Sequence, residues 1–166
     1  IFRQRRIRGQ LRQLAEEGDY WGEAVQLGIE EHVLIRDQQT DIQDLAAALS
    51  QTPAQNDAEA RLHLWAGKMV RVIGADVVEA DTEGEEEPGA ETVERLKDQM
   101  ITLLGSNLPP TERAEAGRIL GDMGDPREEV MTLERMRFCY VPAGPFMMGS
   151  NDFKSETPKG PVEIPY

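Results

Sequence analysis

Cysteine is almost missing from this chain: Cys139 is the single one among 166 residues. No internal disulfide can form and no Cys/His set can close a zinc site, so a reducing compartment, the cytoplasm, is the expectation. Aromatic residues are scarce at 5%, which leaves packing to Leu, Val, Ile, Met and Ala. No apolar run reaches the roughly 20 residues that a membrane-spanning helix requires. Positive charge is short as well, with 18 Lys and Arg against 31 Asp and Glu and a formal net charge of -13. A surface so acidic is repelled by nucleic-acid phosphates and anionic membranes, so neither is an expected partner. Arg3, Arg5, Arg6, Arg8 and Arg12 are the local exception. They read as a basic helix face meeting acidic protein, with a nucleic-acid arm as the alternative. Also missing are an initiating Met, so that Ile1 reads as the start of an excerpt, and any signal-peptide pattern.

Signatures of catalysis are missing too. Nothing resembles Gly-x-x-x-x-Gly-Lys-Ser/Thr, and Ser50, Ser106, Ser150 and Ser155 lack the surroundings of a nucleophile elbow. His32 and His63 have no second ligand at metal spacing and read as ordinary helix residues. Cys139, between Phe138 and Tyr140, has only Arg137 as a nearby cation and reads as a packed thiol. Met123, Met131, Met136, Met147 and Met148 read as core filling rather than a soft ligand patch. No residue is therefore assigned a catalytic, cofactor-binding or metal-binding role, and these residues are not expected to form an enzyme by themselves.

What is present is helical periodicity. Phe2, Ile7, Leu11 and Leu14 predict a first helix over about 2–17. Trp21, Val25, Ile29 and Val33, beside Ala24, Leu27 and Leu34, predict a second to about Arg36. Thr40 is the expected cap of a third through Ile42, Leu45, Ala46 and Leu49, stopped at Thr52-Pro53. A fourth follows Asn56-Asp57, carries Leu62, Trp65, Met69, Val72 and Ile73 on one side, and is closed by Gly74. Eight carboxylates between Asp76 and Glu91, without one Lys or Arg, predict a mobile linker; their spacing lacks the pattern of a calcium loop. Helix returns with Val93, Leu96, Met100, Leu103 and Leu104. Thr111 is expected to cap the next, which presents Ala116, Ile119, Leu120 and Met123, with Gly117 allowing close approach and Gly124-Asp125-Pro126 ending it. Two helices joined so resemble one unit of a helical-repeat stack, without a clean period along the whole chain.

From Arg137 strand formers take over. Phe138, Tyr140 and Val141 predict one strand, Pro142-Ala143-Gly144-Pro145 a turn, Phe146-Met147-Met148 a second strand, and Val162-Glu163-Ile164 a third. The run Phe138-Cys139-Tyr140-Val141-Pro142-Ala143-Gly144-Pro145-Phe146-Met147-Met148-Gly149-Ser150 resembles the opening of the formylglycine-generating-enzyme (sulfatase-modifying factor) family. That resemblance implies the first strands of an α+β, C-type-lectin-like domain, and it covers only the last thirty or so residues. The family's His after Glu-x-Pro is replaced here by Lys159-Gly160-Pro161 behind Glu156-Thr157-Pro158. Its catalytic cysteine pair and copper chemistry match nothing in the chain, so no cofactor is implied. The segment Leu108-Pro109-Pro110-Thr111-Glu112-Arg113-Ala114-Glu115-Ala116-Gly117, then Leu120 and Gly124-Asp125-Pro126-Arg127, is similar to the helical connector before such domains in bacterial NACHT-type (STAND) signalling NTPases. The same lectin-like scaffold serves the variable ligand-binding proteins of diversity-generating retroelements.

The expected organisation is thus a mainly α chain followed by an incomplete lectin-like domain. A helical arm covers 1–75, an acidic linker 76–92, a helical connector 93–135, and the N-terminal part of the formylglycine-enzyme-like domain 136–166. The resemblance implies ligand recognition coupled to an NTPase in bacterial defence signalling, with protein partners or the rest of the same chain. The alternatives are the N-terminal part of a formylglycine-generating or sulfoxide-synthase-like oxidase, and a plain helical interaction scaffold.

Overall fold

A computed structural model describes residues 2–82, 87–148 and 161–164. The fold is mainly α. In chain order the elements are α1 (Phe2–Glu16), a 3-10 turn (Asp19–Trp21), α2 (Gly22–Glu30) running into a π turn (Glu31–Ile35), α3 (Gln39–Ser50), α4 (Asp57–Ile73), α5 (Ala75–Glu79), α6 (Gly89–Leu104), α7 (Pro110–Met123), α8 (Glu128–Met131), β1 (Gly144–Met147) and β2 (Pro161–Ile164).

α4 is the centre. Leu62, Leu64, Trp65, Ala66, Met69 and Val70 are all buried, so its apolar surface wraps most of the way round. A helix of that kind must be covered from several sides, and α1, α2, α3, α6 and α7 all pack on it. Its start is fixed by Asn56, whose side-chain oxygen accepts from the Glu59 N–H at 2.9 Å. Its end is fixed by Gly74 at φ 104°, whose N–H donates to the Val70 carbonyl. At Gly67 side chains of α6 and α7 press on α4: a methyl there would lie 2.9 Å from an Ile119 methyl and 3.3 Å from the Met100 sulfur. Val93, Leu96, Met100 and Leu103 of α6, and Ala116, Ile119, Leu120 and Met123 of α7, are buried as their spacing requires. One apolar core runs from Ala15 to Met123 and draws on helices from both sides of the acidic stretch.

Several local readings are corrected. Thr40 and Thr111 are not caps: both lie inside their helices, which begin at Gln39 and Pro110 without a side-chain cap. Leu27 and Leu34, expected beside the stripe of α2, are exposed. The acidic stretch is not loop at either end. Ala75–Glu79 is helical and Gly89 to Glu91 open α6; 83–86 lie outside the described residues. The reason is that Val78 is fully buried against α6, and the missing bases arrive from elsewhere in the fold. Lys97 pairs with Glu79 at 3.3 Å, Arg95 Nη1 donates to Glu87 at 2.8 Å, and Gln43 donates to Asp81 at 2.6 Å. Arg95 also donates to the Ser50 carbonyl at 2.9 Å, as Gln99 does at 2.6 Å, which ties α6 to the end of α3.

The C-terminal strands pair differently from the expected hairpin. β1 and β2 are antiparallel, Gly144 opposite Ile164 and Met147 opposite Pro161. Residues 138–141 form no strand, and Gly144-Pro145 belong to β1 rather than to a turn. Strand propensity at Phe138, Tyr140 and Val141 finds no ladder partner among the described residues, and without one a strand does not form. From Glu128 to Met148 no described side chain is buried. Cys139 is exposed rather than packed, and Met131, Met136 and Met148 are exposed while Met123 is core. The side chains of Phe146, Met147 and 149–166 lie outside the described ones. No helix among the described residues is long and apolar enough to cross a membrane.

Candidate functional site

Two concave surfaces of the helical body are of interest. The first is an apolar groove of about 520 Å³ between α1, α2 and α3. Ile7, Leu11 and Leu14 form one wall, Trp21, Val25 and Ile29 the other, and Ile42 and Leu45 the floor. Trp21 is steadied at its rim, donating from Nε1 to Glu17 at 2.6 Å and meeting Tyr20 edge to face. The π turn closes one end. His32 Nδ1 lies 2.6 Å from the Gln38 amide oxygen, which ties the π turn to the start of α3. Asp37, at φ 52°, makes the tight exit into α3.

The second is a charged cleft of about 460 Å³ between α2, α4 and α7. Leu64 and Trp65 lie at its base; Lys68 and Arg71 come from α4, Glu112, Glu115 and Arg118 from α7, and Asp19 and Glu23 from the entry to α2. Arg71 reaches Glu115 and Asp122, both at 2.9 Å, and Arg118 reaches Glu115 at 2.7 Å. Burial disfavours the Glu115 carboxylate, but Arg118, Lys68 and Arg71 together outweigh it and hold the carboxyl below its ordinary range. Behind the cleft Arg61 pairs with Glu112 at 2.9 Å, and the pair is 12% and 7% exposed. Arg61 also donates to the Ala15 carbonyl at 3.3 Å, joining α1, α4 and α7.

His32 and His63 lie on different helices and do not meet. Among the described residues no group of three His, Cys, Asp or Glu side chains gathers as a metal site would. Arg6 and Arg12 of the basic start are exposed along α1. The charged cleft was not foreseen from the sequence. Its signal was there: Lys68 and Arg71 are three apart on one face of α4, as Glu112 and Glu115 are on α7.

His63 has a consequence for stability. It is buried, and loss of solvation lowers its pKa against the opposing pull of the Thr52 carbonyl and Glu59. The unfolded chain takes up a proton near the ordinary value of about 6.5, whereas the folded chain does so only at lower pH. This share of stability is therefore present above about pH 6.5 and is lost as pH falls through the folded value. Melting at about pH 7.5 and 5.5 is expected to show a drop that His63→Gln flattens. An unchanged slope in the variant would remove His63 as its source. The lowered carboxyls of Glu87, Glu115 and Asp125 act in a more acidic window, below about 4.5.

A third surface is the strip from Val130 to Met148, where Met131, Leu133, Phe138, Tyr140 and Val141 all stand exposed, Tyr140 at 88%. Compared with protein-family models, curated proteins and solved structures, the chain finds no match.

Proposed function

We propose that the chain is a non-catalytic binding and signalling region of a cytoplasmic protein. In this reading the helices form an arm, and residues 136–166 form the N-terminal part of a C-type-lectin-like recognition domain of the formylglycine-enzyme-like kind. The arm couples that domain to a NACHT-type NTPase. The observation that carries the reading is the strip of uncovered apolar side chains at Val130, Met131, Leu133, Phe138, Tyr140 and Val141, beside a ribbon of two four-residue strands among the described residues. Burying a large apolar side chain is worth roughly 1.5–3 kcal/mol, and a two-stranded ribbon is marginal alone. A strip that holds Phe138, Tyr140 and Val141 in water is suited to being covered by further strands of the same domain. The resemblance of 138–150 to the opening of that family supplies the identity of the domain, and that of 108–127 supplies the arm.

Amide exchange tests this. The slow-exchanging positions of 137–148 are compared between this chain and the full-length gene product. Strong protection in the longer protein alone is the expected result. Equal exchange in both would mean that nothing downstream covers the strip, and the recognition-domain reading would fail.

A further inference from the structure

We propose that the outer face of α2 is a docking surface for an amphipathic helix of another protein, one that carries an apolar row flanked by Lys or Arg. The inference is independent of the reading of residues 136–166. Tyr20, Leu27 and Leu34 are seven apart, and Ile35 follows the last of them. All four stand between 66% and 80% exposed. The opposite side of the same segment, at Val25 and Ile29, is buried in the core. Seven positions are close to two helical turns, so the exposed residues form one row that runs along the segment for roughly 21 Å. Single exposed apolar residues are ordinary, but a row of them rimmed by charge marks a contact surface. Its geometry, one apolar residue every two turns, is that by which helices pack side by side.

The charges select the occupant. Between Arg12 and Arg36 the chain has six acids and no Lys or Arg. Glu23 and Glu30 are three residues beyond Tyr20 and Leu27, and so line one flank of the row. Glu31, four beyond Leu27, accepts from Arg36 at 3.0 and 2.6 Å, so that cation is engaged within the segment. A partner helix with Lys or Arg beside its apolar row meets these acids favourably, whereas an acidic helix is repelled. A second copy of the chain fails the same criterion. Paired antiparallel, it sets Glu23 and Glu30 against themselves; paired parallel, it sets them against Ala24 and Glu31. The basic α1 of a second copy offers no apolar row either, since Ile7, Leu11 and Leu14 pack against its own core. An anionic membrane surface is repelled by the same acids.

The probe is a synthetic helical peptide of about three heptads with Leu at the two apolar positions and Lys beside them. Fluorescence anisotropy follows its binding to the intact chain at low salt, below the concentration at which the peptide associates with itself. Binding at about micromolar strength is expected, weaker by about tenfold or more when Glu replaces Lys in the peptide. Leu27→Ser with Leu34→Ser, both at exposed positions, is expected to weaken it by about tenfold or more while the chain melts as the parent does. Glu23→Gln with Glu30→Gln is expected to weaken it several-fold and to flatten its dependence on salt. Undiminished binding after the leucine replacements would show a basic peptide attracted to an acidic chain and nothing more, and would overturn the proposal. So would equal binding of the Glu peptide, or no binding of the Lys peptide up to about 1 mM. Two further results would overturn it by putting another occupant on the row. One is a dimer of the chain, seen in sedimentation, that Leu27→Ser with Leu34→Ser dissolves. The other is a full-length gene product that ignores the peptide while this chain binds it, which would place a segment of the same protein there.

Discussion

Arg61→Met is expected to destabilise the chain by about 3–5 kcal/mol, as removal of one partner of a buried ion pair does. The arginine is 12% exposed and its carboxylate partner Glu112 7%, so neither group has water to fall back on. With Arg61 gone, Glu112 loses the bond to one oxygen while its other oxygen already has none. The Ala15 carbonyl keeps the Gly18 N–H but loses its tie to α4 in the same step, which loosens the end of α1. Glu112 keeps one favourable influence, its place in the first turn of α7, where the helix dipole favours negative charge by about 0.3–1 kcal/mol. That is too small to offset the loss. For a chain of this size each kcal/mol shifts the melting point by about 2–4 °C, so a fall of roughly 6–20 °C is expected. Arg61→Met with Glu112→Leu is expected to recover most of it, because replacing both members by apolar groups is often nearly neutral. A single variant that melts with the parent would show that Glu112 is solvated and the pair unimportant.

The helices were legible because their signal is local. Val93, Leu96, Met100 and Leu103 fall on one face by spacing alone, and all four are buried. The same holds for Ala116, Ile119, Leu120 and Met123, and for Asn56 and Gly74 at the two ends of α4. Readings failed where the deciding partner is distant in sequence. Counting charge within 76–91 found no bases, yet Lys97 and Arg95 supply them from α6. Whether Leu27 is covered depends on which flank of α2 meets α4, and periodicity does not carry that information. Strand formers at 138–141 need a neighbouring strand, and the pairing that exists joins β1 to β2 instead. The ion pair behind the charged cleft was illegible for the same reason, since Arg61 and Glu112 are 51 positions apart. In each case the charge or propensity was read correctly and the partner was out of view.

Gly89→Ala carries the same lesson with an effect of opposite sign to the local rule. Gly89 is the first residue of α6, where an alanine should help by up to about 1 kcal/mol on helix propensity alone. A methyl on Gly89, however, would be driven into the carbonyl oxygen of Val78. That atom belongs to backbone, so no side-chain rotation relieves the clash. The surroundings are tied down as well. Val78 is fully buried, and its N–H is held by the Gly74 carbonyl at 3.1 Å. The Gly89 N–H itself donates to the Asp81 carbonyl at 2.9 Å, so α6 starts only where α5 lets it. Relief requires α5 to lift away from α6, which uncovers Val78 and strains the contact between Lys97 and Glu79. Overpacking a rigid site costs about 1–3 kcal/mol and occasionally more, and a net loss of roughly 3 kcal/mol is expected here. The contrast is Gly121→Ala on α7, where an added methyl meets nothing within 4 Å and the propensity gain should stand. Chemical denaturation of both variants decides the matter: the close approach of α5 and α6 requires Gly89→Ala to fall below the parent while Gly121→Ala equals or exceeds it. A stabilised Gly89→Ala would mean that α5 does not pack under α6.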